Sequence, residues 1–231
     1  MRTQAINLAV LAGVTSANSV PIFGTYPGWV QGGGKANVEV EIFFDYLCAD
    51  SKANYPIVEA MLNEEIAPGL SVFDGITLKL SSFPLDYHIH SWQVAQILPY
   101  LLDLCSEGTS CKMNDYLDLG FAQQDQVLSM SGYSKDSFIP YWSKVVADSL
   151  DLDYETILGL YDRDNDVHNT EMGTRMIWKY GAAKGVSGTP TAFVNGVMLD
   201  SFPASATEWN DLLSGVYQSQ WHPTTPTQFL N

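Results

Sequence analysis

Val38 to Tyr46, V-E-V-E-I-F-F-D-Y, is a β-branched and aromatic run of strand length, polar at Glu39 and Glu41 and then apolar. That pattern predicts a strand entering a covered sheet. From Ser51 the period changes to that of a helix, with Tyr55, Val58, Leu62 and Ile66 on one face, ending before Pro68-Gly69 and carrying a helix-kinking proline at Pro56. Ile76 to Phe83 predicts a second strand, and the intervening chain is long enough for a crossover, so the pair reads as a βαβ unit. Ser91 to about Leu160 is helical in period throughout. Its clearest stripe is Phe138, Tyr141, Trp142, Val145 and Val146. A further helix is expected from Asn169 to Lys184, followed by strands Thr191 to Val194 and Val197 to Leu199 joined antiparallel by the hairpin turn Asn195-Gly196. A last helix opens at Ser205 with Glu208 in a capping-box position, and carries Trp209, Leu212, Leu213, Val216 and Tyr217 on one face.

The 231 residues, 46% hydrophobic and 16% charged, suffice for one well-filled core or one domain with an insertion, and contain no internal repeat. Eleven basic against twenty-six acidic residues give a net charge of -15, which repels phosphate backbones and anionic lipid and excludes nucleic acid as a partner class. Residues 1–19 combine a basic start, an apolar segment from Ala5 to Val14 and small residues near Ser19, the pattern of a secretory signal peptide. That segment is too short to span a bilayer, and no later one is long enough. Residues 20–37, with two prolines and Gly32-Gly33-Gly34, read as a linker. The expected organisation is then a body of residues 38–90 and 169–220, a helical insertion of residues 91–168 and a loose tail of residues 221–231. Export places the chain in the secretory pathway, lumenal or extracellular.

Export also divides the three cysteines. Cys105 and Cys111 bracket C-S-E-G-T-S-C, with Gly108 in the loop, and are expected to form a structural disulfide; the spacing is not C-x-x-C and no histidine adjoins it, so zinc is not indicated. Cys48 is left over, at the junction of the first strand and its helix. Unpaired N–H groups and the helix dipole favour a thiolate there, opposed by Asp45 and Asp50. Ser51, one turn on, can donate a hydrogen bond to the sulfur but cannot form a disulfide with it. The alternative is an inert buried thiol. His88 and His90 in D-Y-H-I-H lack a third ligand, so no metal is expected; His88 is an auxiliary candidate as a base for Cys48.

Two stretches, F-F-D-Y-L-C-A-D-S and G-V-S-G-T-P-T-A-F-V-N-G, taken in their order and context, resemble the thioredoxin fold as elaborated in the DsbA-like family, over roughly Asn37 to Ser219. F-P-L-D-Y-H, from Phe83 to His88, is similar to the segment that follows the second strand in these proteins. The resemblance implies an α/β fold, a mixed sheet with flanking helices and an inserted all-helical subdomain. It also implies a cis Thr189-Pro190 bond facing Cys48 and holding the substrate backbone. The departure is Ser51, where redox-active members carry a second cysteine. A lone cysteine cannot expel a mixed disulfide by internal attack. What the resemblance then implies is monothiol exchange on protein or glutathione disulfides, with protein or peptide thiols and disulfides as partners, no bound cofactor, and an outside thiol such as glutathione as co-substrate. Two other readings stand beside it: a non-catalytic module holding an extended peptide in the same groove, and a glutathione-dependent transferase or isomerase resembling the kappa class.

Overall fold

The computed structural model describes residues 22–106 and 111–221; the signal-peptide reading, Gly108 and the tail beyond residue 221 lie outside them. A five-stranded sheet forms the centre, in the order β1-β5-β2-β6-β7. Its strands are β1 (Trp29–Gln31), β2 (Val38–Phe44), β5 (Ile76–Ser82), β6 (Thr191–Val194) and β7 (Val197–Met198). β2 and β5 run parallel, in register from Val38 opposite Ile76 to Phe44 opposite Ser82, and β6 adds antiparallel to β2. The parallel pair needs a crossover, and α1 (Ala49–Leu62) supplies it.

Period-two alternation assigns the two faces of the central strand. Val38, Val40, Ile42 and Phe44 enter the main core with Ile76, Leu78 and Leu80 of β5, and α1 and α10 (Ala206–Trp221) cover that face. Phe43 turns the other way, into a smaller cluster with Phe83, Leu85, Val186 and Phe193. Glu41 shares that second face, where it is buried against α9 (Thr170–Ala183): its carboxylate accepts from Tyr180 Oη at 2.9 Å and pairs with Lys184 Nζ. Each fully buried aliphatic or aromatic side chain of this core contributes about 1.5–3 kcal/mol relative to exposure.

Three local readings need correction. Residues 20–37 are not simply a linker: Trp29–Gln31 pairs antiparallel with Leu78–Leu80 as edge strand β1. The outer edge of β5 offers unpaired N–H and C=O groups, and pairing satisfies them. The Gly32-Gly33-Gly34 run follows the same edge, with Gly33 N–H donating to Phe73 O at 2.8 Å and Gly34 N–H to Ile76 O at 2.9 Å. Gly32 has φ +97, and a Cβ there would lie 2.4 Å from Ile76 O, so only glycine fits. The first helix ends at Leu62, not at Ile66. Ile66 instead sits buried in β3 (Glu65–Ala67), which forms a hairpin with β4 (Leu70–Ser71) before the short helix α2 (Val72–Gly75). The last strand stops at Met198, one residue before Leu199.

The helical stretch becomes α3 (Ser91–Ala95), α4 (Leu98–Ser106), α5 (Met113–Ala122), α6 (Gln124–Ser129), α7 (Lys135–Leu150) and α8 (Tyr154–Gly159). Phe138, Trp142 and Val146 are fully buried, and Trp142 Nε1 donates to Tyr116 Oη at 3.3 Å. Cys105 and Cys111 are joined as a disulfide that ties the end of α4 to the start of α5. Gly120 brings α5 onto the body, because a Cβ there would fall 2.3 Å from Tyr46 Cδ1. No helix among the described residues is long and apolar enough to cross a membrane.

Candidate functional site

Cys48 is the N-cap of α1, with extended φ/ψ of -78° and 123°; its own side chain caps nothing. The turn is closed by Cys48 N–H donating to Asp45 O at 3.1 Å, and the helix starts with Lys52 N–H donating to Cys48 O at 3.1 Å. The thiol is free and 7% exposed. Its sulfur reaches across 141 positions of sequence, donating to Thr189 O at 3.1 Å. A carbonyl only accepts, so this contact belongs to the protonated thiol.

The Thr189-Pro190 peptide is cis. The loop that carries it leads straight into β6, whose Thr191 pairs with Phe43. Because β2 ends in the Cys48 turn and β6 lies beside it, sheet register alone places the two segments together. Thr189 Oγ1 is buried with no hydrogen-bond partner among the described residues, whereas Thr191 Oγ1 donates to Gly188 O at 2.7 Å.

Ser51 is fully buried, and its Oγ accepts from Asp45 N–H at 3.3 Å. The Ser51 hydroxyl therefore serves the backbone of the turn, and the group that holds the sulfur is the Thr189 carbonyl. Asp45 is also fully buried, yet its carboxylate is well supplied with donors. Leu47 N–H and Ser91 Oγ–H reach one oxygen, Leu47 at 3.0 Å; Leu85 N–H at 3.0 Å and His88 Nδ1 at 2.6 Å reach the other. A buried carboxylate with four donors is the arrangement that offsets desolvation. One side chain thus joins the Cys48 turn, the segment after β5 and the first helix of the insertion. His88 is held by this network and packs edge-on against Tyr87, ring centroids 4.6 Å apart. His90 lies elsewhere: it stacks on Phe138 at 3.9 Å and contacts Met130 O through Nε2 at 3.1 Å.

Tyr87 is 69% exposed at the mouth of the site. Its phenol is held above the ordinary range, first by desolvation against the protein under the ring and next by the acidic groups it faces, Cys48 foremost and then Asp45, Asp86 and Asp50.

Gln124 escaped the sequence reading. Buried in α6, its amide donates to Tyr46 O at 2.7 Å and to Cys48 O at 2.9 Å, clamping the turn from the insertion side. Lys52 pairs with Asp125 at 3.0 Å, and Tyr55 Oη donates to Asp118 at 2.9 Å, so the first half of α1 is fastened to α5 and α6. A glutamine carries no sequence signal for this role; only the packing of α6 over the turn supplies it. Among the described residues no cluster of three or more His, Cys, Asp or Glu could hold a metal ion.

No protein-family model matches this chain, and no curated protein matches it. Solved structures do. A proposed protein-disulfide isomerase from Pseudomonas syringae superposes with a TM-score of 0.60 at 13% identity, covering 80% of this chain and 96% of that one. The thiol-disulfide exchange protein α-DsbA2 from Wolbachia pipientis gives 0.53 at 16% identity, covering 82% and 87%. A thioredoxin-like oxidoreductase from Silicibacter pomeroyi gives 0.53 at 17% identity, covering 86% and 94%. These likenesses establish the fold: a thioredoxin-like mixed sheet with flanking helices and an inserted helical subdomain.

Proposed function

We propose that this chain is an exported monothiol thiol-disulfide exchange protein acting on protein or peptide disulfides, with Cys48 as nucleophile. The observation that carries the reading is the placement of the Cys48 sulfur at the N-terminus of a 14-residue helix and 3.1 Å from the carbonyl of the cis Thr189-Pro190 bond. A helix start favours a thiolate, and once Cys48 has lost its proton the Thr189 carbonyl is free to accept from the N–H of an extended peptide chain. The exchange-protein names among the structural neighbours support the same class.

In the step we envisage, Cys48 loses its proton to solvent and the thiolate attacks one sulfur of a substrate disulfide. A Cys48–substrate disulfide forms, and the second substrate sulfur leaves as a thiolate. Ser51 cannot attack that bond, so release needs an external thiolate such as glutathione. This attacks the substrate sulfur, leaving a substrate–glutathione disulfide and restoring the Cys48 thiolate. Ser51 then acts by fixing the turn through Asp45 N–H, and His88, tied to Asp45, is an auxiliary group of the same network.

The 7% exposure of Cys48 favours a second reading, in which the groove holds a peptide without chemistry. Incubation with oxidised glutathione separates the two. Exchange predicts a covalent adduct on the wild-type protein that Cys48→Ser abolishes and Ser51→Cys shortens in lifetime at least tenfold. A native thiol that forms no adduct at neutral pH and labels only on unfolding sinks the exchange reading and leaves the peptide-binding module.

A further inference from the structure

A cleft of about 890 Å³ opens beside the Cys48 turn, between the segment after β5, the outer face of α9 and the start of α7. Val186 and Ser187, directly before the Gly188-Thr189-Pro190 loop, are part of its lining. Its size lies within the range of small-molecule sites, roughly 300–1,000 Å³. Flat apolar groups dominate the walls. Trp178 stacks on Phe83 with centroids 5.5 Å apart and planes 14° from parallel, yet stays 37% exposed. Tyr133 and Ile89, both more than half exposed, line the same space, as does Trp92.

The charge on the rim runs against that of the molecule. In a chain of net charge -15, the cleft gathers Lys135, Arg175 and Lys179 against the one carboxylate of Asp86. Arg175 pairs with Glu171, a carboxylate it shares with Arg163, so it holds only part of that counter-charge. Lys135 forms no ion pair that the structure records among the described residues. Exposed aromatics beside a cluster of cations, of which Lys135 carries no ion pair among the described residues, fit a ligand with a flat apolar body and an anionic head.

We propose that this cleft is a binding site for a small aromatic organic anion, its ring against Trp178 and Tyr133 and its carboxylate or sulfonate toward Lys135 and Arg175. The site does not use the Cys48 sulfur, so it stands or falls apart from the thiol-exchange reading.

The test titrates the full-length Cys48→Ser protein with 8-anilinonaphthalene-1-sulfonate, following its fluorescence and the quenching of tryptophan emission. N-phenyl-1-naphthylamine, the same aromatic body without the sulfonate, is the neutral probe. One saturable site is expected. Lys135→Glu combined with Arg175→Glu should weaken the anion at least tenfold and the neutral probe less than threefold, whereas Trp178→Ala should weaken both. Lys144→Glu, an exposed reversal outside the residues that line the cleft, should leave both within twofold, and circular dichroism checks that each variant folds. Non-saturable binding, equal losses with Lys144→Glu and the cleft reversals, or loss of the probe as protein concentration rises through self-association would each overturn the proposal.

Discussion

Replacing Gln124 by methionine removes two hydrogen bonds from the Cys48 turn while leaving the space they occupy filled. Tyr46 O, in a buried region, loses its side-chain donor at 2.7 Å, at a cost of about 1–3 kcal/mol for an unsatisfied acceptor. Cys48 O loses the 2.9 Å bond but keeps Lys52 N–H at 3.1 Å, so that loss is about 0.5–1.5 kcal/mol. Together they predict a destabilisation of roughly 2–4 kcal/mol for Gln124→Met, with about 1–2 kcal/mol more for Gln124→Ala from the cavity it leaves. For a domain of this size that is a fall in Tm of about 5–15 °C. Urea denaturation of the two variants gives the free energies. Amide hydrogen exchange at Cys48 and Lys52, whose N–H groups bond to Asp45 O and Cys48 O, then localises the effect, which should be faster exchange at the turn than in the sheet. If Gln124→Met unfolds within 0.5 kcal/mol of wild type, or if protection is lost uniformly, the amide serves only to fill space and the clamp from the insertion does not exist.

The buried pair on the second sheet face should respond asymmetrically. Lys184→Met strands Glu41, 1% exposed, with Tyr180 as its remaining donor and should cost about 3–5 kcal/mol; Glu41→Met leaves a lysine that is 24% exposed and reaches water, and should cost less than half as much in the same urea assay. Equal losses would refute that assignment of the pair. The Cys105–Cys111 disulfide, closing a sequence separation of only 6, should contribute about 2 kcal/mol, read as the stability difference between wild type and the Cys105→Ala, Cys111→Ala double variant. Asp153 caps α8 by accepting from both Thr156 N–H and Oγ1–H, which holds its carboxyl below the ordinary range. Its contribution is therefore present above the unfolded carboxyl pKa and lost as pH falls through the lower folded value. The Tm deficit of Asp153→Ala should be full at pH 7 and shrink in acid, and a deficit independent of pH would remove the charge from the explanation.

Periodicity in the sequence determined the strands Val38 to Phe44 and Ile76 to Ser82, the helices around them and the Asn195-Gly196 hairpin, because apolar spacing and turn residues are local properties of the chain. It also marked Cys48 as the thiol at a helix start and separated it from Cys105 and Cys111. Three matters required the folded chain. Edge strand β1 was illegible in a Pro- and Gly-rich segment, since its cause is the unpaired edge of β5, 51 positions away at Trp29 opposite Leu80. Ser51 was legible as a neighbour of Cys48, but not that its hydroxyl turns to Asp45 N–H while Thr189 O takes the sulfur. Gln124 and Ser91 carry no chemistry in sequence that sets them apart from surface residues. Their roles arise because α6 and α3 fold over a turn whose carbonyls and buried carboxylate need partners once water is excluded. Local pattern marks which apolar groups become buried, and only tertiary packing decides which polar groups join them and which distant partner each one meets, because a hydrogen bond depends on distance in space and not along the chain.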